Sequence, residues 1–186
     1  MPADIVSRSP PSPVPKNLEI KVPLASTTAA VRTARRIGGR DQGVLHQDDI
    51  YYRVRKGRLK LRIINHRAGE LIYYQRPDTK GGRQSDYSIV PVPDPDLMDA
   101  VLRSAFGVRG VVKKHRRLFL YKNARIHIDT VEGLGTYLEF EVVMNAGKAQ
   151  ARRMLVYLTQ VFGVRKETTT AGSYADLLER RRKKNR

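Results

Sequence analysis

Arg58-Leu59-Lys60-Leu61-Arg62-Ile63 alternates charged and apolar residues at every step. Successive side chains of an extended chain point to opposite faces, so Arg58, Lys60 and Arg62 share one face and Leu59, Leu61 and Ile63 the other. Upstream, Gln47 to Val54 reads as a strand and Lys56-Gly57 as a turn, which predicts a hairpin with the Arg58–Ile64 strand. The same division recurs along the chain. Asn17, Glu19 and Lys21 oppose Leu18, Ile20 and Val22. Lys114 aligns with Arg116. Arg125, His127 and Asp129 oppose Ile126 and Ile128, and Tyr137, Glu139 and Glu141 oppose Leu138, Phe140 and Val142.

Any one of these strands reads equally as an ordinary amphipathic strand with its charged side in water. Five strands sharing the pattern favour another arrangement. Their apolar faces pack against helices outside, and their charged faces line a tunnel. Strands are also expected over 70–76, 83–92, 111–121, 124–129 and 135–143. Helices are expected from a Ser26 cap through Ile37, from Pro95 through Phe106, from an Asn145 cap through Phe162, and from near Ser173. Two helices carry apolar stripes: Leu97, Val101, Leu102 and Ala105 in one, and Ala151, Met154, Leu155, Leu158, Val161 and Phe162 in the other. About eight strands, mostly in hairpin order, close into an antiparallel barrel without exposed edges. The fold class expected is therefore α+β, a β-barrel with helices packed outside. An empty tunnel crowded with cations repels itself, so its contents are expected to be a strongly charged anion with a divalent cation beside it.

Composition bounds the rest. A chain of 186 residues, 40% hydrophobic, supports one domain with a real core. It contains no Cys, which excludes disulfides, thiolate catalysis and sulfur-ligated zinc. No apolar run is long enough to span a membrane, and residues 1–16 lack a signal peptide's apolar stretch, so a cytoplasmic location is expected. Thirty-six Lys and Arg against eighteen Asp and Glu give a formal charge of +18, which implies an anionic partner. Residues 1–16, with Pro2, Pro10, Pro11, Pro13 and Pro15, are expected to be a disordered leader, residues 17–178 the folded domain, and residues 179–186 a disordered basic tail.

The strand motifs resemble the CYTH family, which includes class IV adenylyl cyclases and triphosphate tunnel phosphohydrolases. Asn17-Leu18-Glu19-Ile20-Lys21 is similar to its Glu-x-Glu-x-Lys strand, with Asn in place of the first Glu. Gln47-Asp48-Asp49-Ile50-Tyr51-Tyr52 resembles Gln-x-Asp-x-Tyr-Phe. Arg58 to Arg62 resembles the family's Leu-x-x-Arg strand, and Val112-Lys113-Lys114-His115-Arg116 resembles Val-x-Lys-x-Arg. Asp129-Thr130-Val131-Glu132-Gly133-Leu134-Gly135-Thr136-Tyr137-Leu138-Glu139-Phe140-Glu141 is similar to the Asp, Leu-Gly and Glu-x-Glu block. The resemblance implies a triphosphate tunnel. In it Lys21, Lys60, Arg62, Arg83, Lys114, Arg116 and Arg125 would hold phosphate oxygens, with Lys60, Arg62 and Arg116 serving catalysis. Glu19, Asp129, Glu139 and Glu141 would hold Mg²⁺ or Mn²⁺. The departure at Asn17 weakens a second metal site. Gln75 stands where members often carry Lys, and Ser85-Asp86-Tyr87 replaces a clear Glu-x-Glu after Arg83.

Among individual residues, His127 lies between Arg125 and Asp129 on the inner face and reads either as a proton shuttle or as a hydrogen-bonded structural residue. His46, His66 and His115 show no convincing ligand spacing. Gly81-Gly82 lacks a P-loop pattern and reads as a turn. Tyr73, Tyr74 and Tyr87 read as base-stacking or as packing residues.

Three function classes remain open. The leading one is a metal-dependent enzyme acting on the phosphoanhydride of ATP, tripolyphosphate or a similar triphosphate, either as a triphosphatase or as a class IV adenylyl cyclase. The His-Phe pair of the known cyclases is replaced by Pro15-Lys16. The second class is a non-catalytic polyphosphate or nucleotide binder. The third is a nucleic-acid binder, with the basic tail as the contact.

Overall fold

The computed structural model describes residues 16–75 and 82–185. The expected leader up to Pro15 and most of the Pro77–Gly82 turn lie outside the described residues. Eight strands run β1 (Lys16–Pro23), β2 (Arg40–Tyr52), β3 (Arg58–Ile64), β4 (Ala68–Gln75), β5 (Arg83–Val92), β6 (Val108–Tyr121), β7 (Ala124–Val131) and β8 (Gly135–Val143). They form a closed antiparallel barrel in the order β1-β5-β4-β3-β2-β6-β7-β8, with β8 pairing back to β1. Every strand therefore has two partners, and the backbone groups of a free edge are satisfied within the wall.

The helices are α1 (Thr27–Arg36), α2 (Pro95–Phe106), α3 (Lys148–Val161) and α4 (Tyr174–Lys184). Ser26 caps α1 by accepting from the Ala29 N–H, and Asp94 caps α2 by accepting from the Leu97 N–H ahead of Pro95. The outward apolar faces of β1, β7 and β8 (Leu18, Ile20, Ile126, Ile128, Leu138, Phe140) form the main core with Ala30 and Ala34 of α1 and Ala151, Leu155 and Leu158 of α3. α2 covers Ile50, Tyr52, Leu61 and Val92 through Leu102 and Met98. Much of the apolar wall thus faces outward onto helices, and the interior is lined largely by charged and polar side chains, with Leu45, Ile64, Ile72, Ile89 and Leu118 among them.

Several boundaries differ from the sequence reading. β2 begins at Arg40 rather than Gln47. Its first half carries a register irregularity between Asp41 and Val44 and a Gly43 at φ 83°, which break the alternation that marks a strand. α3 is preceded by Gly147 with no side-chain cap, so Asn145 does not cap it. In α2, Leu97 and Val101 face solvent and only Leu102 is buried. The largest correction is at the C-terminus, where the basic residues expected to be disordered continue α4 to Lys184. Ser173 and Asp176 form a capping box at its start. The basic run sits in its last turns, where positive charge complements the helix dipole. Glu179 pairs with Arg109 at 3.0 Å and Lys183 at 3.2 Å, and Arg181 donates to the Gly133 carbonyl.

Candidate functional site

The barrel encloses a cavity of about 320 Å³, within the range that holds small molecules. Register explains its lining. Lys21 lies opposite Glu139 and Glu19 opposite Glu141 across β1–β8, while His127 and Arg125 lie opposite Glu139 and Glu141 across β7–β8. Gln47 is level with Lys114 across β2–β6, and Tyr51 with Lys60 across β2–β3. The cations lining the cavity are Lys21, Lys60, Arg62, Lys114, Arg116 and Arg125. Of the residues expected from the sequence, these six and Glu19, Glu139 and Glu141 meet in one chamber. Arg83 lies on β5 opposite Glu19.

The chamber is not the cation-crowded space that its strands suggested. Five carboxylates, Glu19, Asp49, Glu70, Glu139 and Glu141, line it with the six cations. Asp129 lies directly behind, fully buried and outside the lining set. Among the described lining residues the charges nearly balance, and most of the chain's excess of +18 lies outside that set.

Asp49 organises one half of the chamber. Its carboxylate accepts from Lys60 Nζ at 3.0 Å, from Arg62 Nε at 2.7 Å and Nη2 at 3.1 Å, and from Lys114 Nζ. Burial alone raises the Asp49 carboxyl, but Arg62, Lys114 and Lys60 outweigh it and hold it well below the usual carboxylate range. The lysines feel the opposite balance. Burial, with Arg62 nearby, pushes Lys60 down to about 8 although Asp49 opposes it. Burial pushes Lys114 down to about 7 against the same carboxylate. The sequence reading gave Asp49 no role. Asp49 is the Asp of the Gln-x-Asp-x-Tyr-Phe resemblance, but local sequence carries no signal of the cations it meets from β3 and β6.

The other half is built on β6, β7 and β8. Arg116 grips Asp129 through Nε and Nη2, both at 2.7 Å, and its Nη2 also reaches Glu139 at 2.8 Å. Such a bidentate pair fixes the guanidinium plane. Tyr174 of α4 donates its hydroxyl to Asp129 at 2.7 Å, and its ring lies 3.7 Å from Lys21 Nζ. Asp129 is thus committed to Arg116 and Tyr174. From behind the cavity wall it anchors Arg116, and it stands apart from the Glu139–Glu141–His127 group. Ser173 and Tyr174 line the cavity, so the start of α4 reaches into the barrel end, held there by Asp176, which pairs with Arg58 at 2.8 Å and Arg109 at 2.7 Å.

Glu139 also pairs with Lys21 at 3.2 Å, and Glu141 with Arg125 at 3.5 Å. Burial raises Glu139, but Lys21, His127 and Arg116 hold it well below the usual range. His127 Nδ1 lies 3.6 Å from Glu139 and 3.8 Å from Glu141, buried and without a hydrogen-bond partner. His127, Glu139 and Glu141 bring their ligand atoms within 4.8 Å of one another. Two carboxylates here, with Glu19 beside Glu141 in register, offer the hard oxygen donors that Mg²⁺ or Mn²⁺ takes, so the residues fit a divalent ion. Tyr74 and Tyr87 also line the cavity. Tyr73 faces away and hydrogen-bonds the Lys56 carbonyl, which excludes it from base stacking inside the tunnel.

The family model for the CYTH domain matches residues 15–174. This chain belongs to the CYTH domain family. No curated protein matches its sequence significantly. Among solved structures, the PH1012 protein from Pyrococcus horikoshii superposes with a TM-score of 0.78 at 22% identity, covering 87% of this chain and 99% of that one. A candidate adenylate cyclase from Vibrio parahaemolyticus gives 0.74 at 20% identity, covering 91% and 99%. A candidate adenylyl cyclase from Hippeastrum, described as having a dominant triphosphatase activity, gives 0.65 at 12% identity, covering 89% and 95%. At these identities the superpositions establish a shared fold. Membership places the chain in a family of enzymes that act on triphosphates. No described helix is long and apolar enough to cross a membrane.

Proposed function

We propose that this CYTH barrel is a divalent-metal-dependent triphosphatase that hydrolyses a phosphoanhydride bond of tripolyphosphate or a nucleoside triphosphate. The observation that carries the reading is the single chamber that six cations share with a carboxylate set able to hold a divalent ion. Phosphoryl transfer needs little covalent chemistry from a protein. It needs the phosphates positioned and the developing charge stabilised.

Each part of the chamber has a share in that work. Lys21, Lys60, Arg62, Lys114, Arg116 and Arg125 bind phosphate oxygens, Arg as a bidentate fork and Lys as a point charge, and Arg83, whose backbone is level with Glu19, is the seventh cation of this proposal. Arg62 and Arg116 are already held in fixed planes by Asp49 and Asp129, so little order is lost when an anion replaces part of that pairing. With Lys60 they stabilise the charge on the transferred group. Glu19, Glu139 and Glu141, with His127 alongside, hold the metal, which when bound neutralises phosphate charge.

Two observations favour hydrolysis over cyclisation: Pro15-Lys16 stands in place of the cyclase His-Phe pair, and the similar Hippeastrum protein is described as dominantly a triphosphatase. The test is phosphate release from tripolyphosphate and from ATP with Mg²⁺ and with Mn²⁺, with cyclic AMP followed in the same samples and Glu139→Gln as control. Release that requires metal and vanishes in the variant is expected. Cyclic AMP without phosphate release would replace the reading with a cyclase, and no product of either kind would reduce the tunnel to a binding site.

A further inference from the structure

Three of the chain's four histidines gather on the outer wall of the barrel, away from the tunnel. β2 carries Gln47 and Asp49 into the chamber, so its neighbours His46 and Asp48 point outward. His115 of β6 is the register partner of His46, and their rings meet edge-on with centroids 5.1 Å apart. The third histidine comes from the turn between β3 and β4. Asn65 and His66 both adopt left-handed conformations, at φ 50° and 59°, and the Arg67 N–H closes the turn onto the Ile64 carbonyl. Asn65 clamps this turn to β2 twice. Its N–H donates to the His46 carbonyl and its side-chain oxygen accepts from the His46 N–H, both at 2.9 Å. The clamp lays the His66 ring over the His46 ring, with centroids 4.3 Å apart.

Two features set this cluster apart from ordinary surface histidines. The ligand atoms of His46, Asp48 and His66 all lie within 4.8 Å of one another. In addition, His46 Nδ1 and Asp48 Oδ1 are buried with no hydrogen-bond partner, although buried polar atoms are nearly always paired. The cation opposite Asp48 in register, Lys113, makes no ion pair with it among the described residues. A tetrahedral site with bonds of about 2.0–2.1 Å places its ligand atoms roughly 3.4 Å apart. Binding would draw the exposed His66 ring and the half-buried Asp48 in to that spacing. His66, at φ 59° in the three-residue turn between Ile64 and Ala68, holds a left-handed conformation uncommon outside Gly.

We propose that His46, Asp48 and His66, with His115 in reach as a fourth ligand, form a zinc-type transition-metal site on the outside of the barrel, separate from the metal site of the tunnel. Two imidazoles and one carboxylate suit Zn²⁺ or Ni²⁺ rather than Mg²⁺. The site staples the β3–β4 turn, at the end of the strand that carries Lys60 and Arg62, to β2 with Asp49 and β6 with Lys114.

The test uses the full chain with the tunnel carboxylates removed by Glu139→Gln and Glu141→Gln, so that zinc bound there does not confuse the result. Equilibrium dialysis against Zn²⁺ is expected to show about one bound ion, with a rise in melting temperature. His46→Ala and His66→Gly, each added to that background, are expected to weaken zinc binding by at least ~10-fold. His66→Gly also suits the left-handed turn, so the metal-free protein should melt no lower than its parent while losing the zinc-induced rise. Zinc affinity unchanged in both histidine variants would overturn the proposal, and so would a tunnel-emptied protein that binds no zinc.

Discussion

Replacing Asp49 by Asn tests how the tunnel is held together. The carboxylate neutralises Lys60, Arg62 and Lys114 at once, in a site with about 2% exposure. The amide keeps the shape and one acceptor oxygen but not the charge. Breaking a buried ion pair by removing one partner costs about 3–5 kcal/mol, because the remaining charge is uncompensated. Part of that cost is relieved here. Lys60 and Lys114 already sit at about 8 and about 7, and without Asp49 they lose their protons more readily. The expected destabilisation of the empty protein at pH 7 is therefore about 3 kcal/mol, or roughly 6–12 °C in melting temperature for a domain of this size. Tripolyphosphate brings the missing negative charge. The thermal shift it produces should be larger for Asp49→Asn than for the parent, narrowing the gap between them. Scanning calorimetry with and without tripolyphosphate makes the comparison. An Asp49→Asn protein that melts with the parent, or one that tripolyphosphate stabilises no more than the parent, would refute the reasoning.

The depressed lysines make binding proton-linked. A bound polyanion favours charged Lys60 and Lys114, so binding at pH 8 should take up protons, and the uptake should fade towards pH 6, where both are already protonated; calorimetry in buffers of different ionisation heat would read it, and buffer-independent heats at pH 8 would count against it. For the empty protein the sign runs the other way with alkali: the unfolded chain holds more protons on these lysines between about pH 7 and 10, so their contribution to stability rises with pH there, opposing any loss elsewhere. On the acid side, Asp49 and Glu139 have lowered folded values, so the stability they contribute is present above the normal carboxylate range and is lost as pH falls through and below it. Tyr174→Phe removes the hydroxyl that pairs with Asp129 and should cost about 1–3 kcal/mol by denaturant unfolding, while keeping the ring beside Lys21. A chain ending at Leu178 loses the contacts of Glu179 and Arg181 and should melt below one ending at Asn185; equal melting would return the basic residues to the status of an idle tail.

The strand alternation made the barrel legible because one face of the wall had to be apolar to meet α1, α2 and α3, and the other was left for charge. β3, β5, α2 and β8 lie where the pattern placed them. The first half of β2 did not show because its bulge and Gly43 break the two-residue period. The length of α4 was hidden by a run of like charges that reads as repulsive until Glu179, Arg109 and the Gly133 carbonyl are seen beside it.

Within the site, the sequence showed which side chains share a face but not which pair across the barrel. Asp129 and Glu139 look alike in the sequence, yet one is locked behind Arg116 and Tyr174 while the other faces the cavity. Asp49 was missed for the same reason: its importance lies in partners 11, 13 and 65 residues away. The outer histidines show no convincing ligand spacing in the sequence because the turn between Ile64 and Ala68, not spacing along the chain, brings His66 to His46.

The central claim is that the chamber is a triphosphate site, and direct calorimetric titration of tripolyphosphate tests it most closely. Saturable binding of one molecule per chain is expected, weakened at least ~100-fold by Lys60→Met combined with Arg62→Met, since each removes a charged contact worth about 1.5–3 kcal/mol. Binding that is unchanged in the double variant, or no saturable binding by the intact chain, would contradict it.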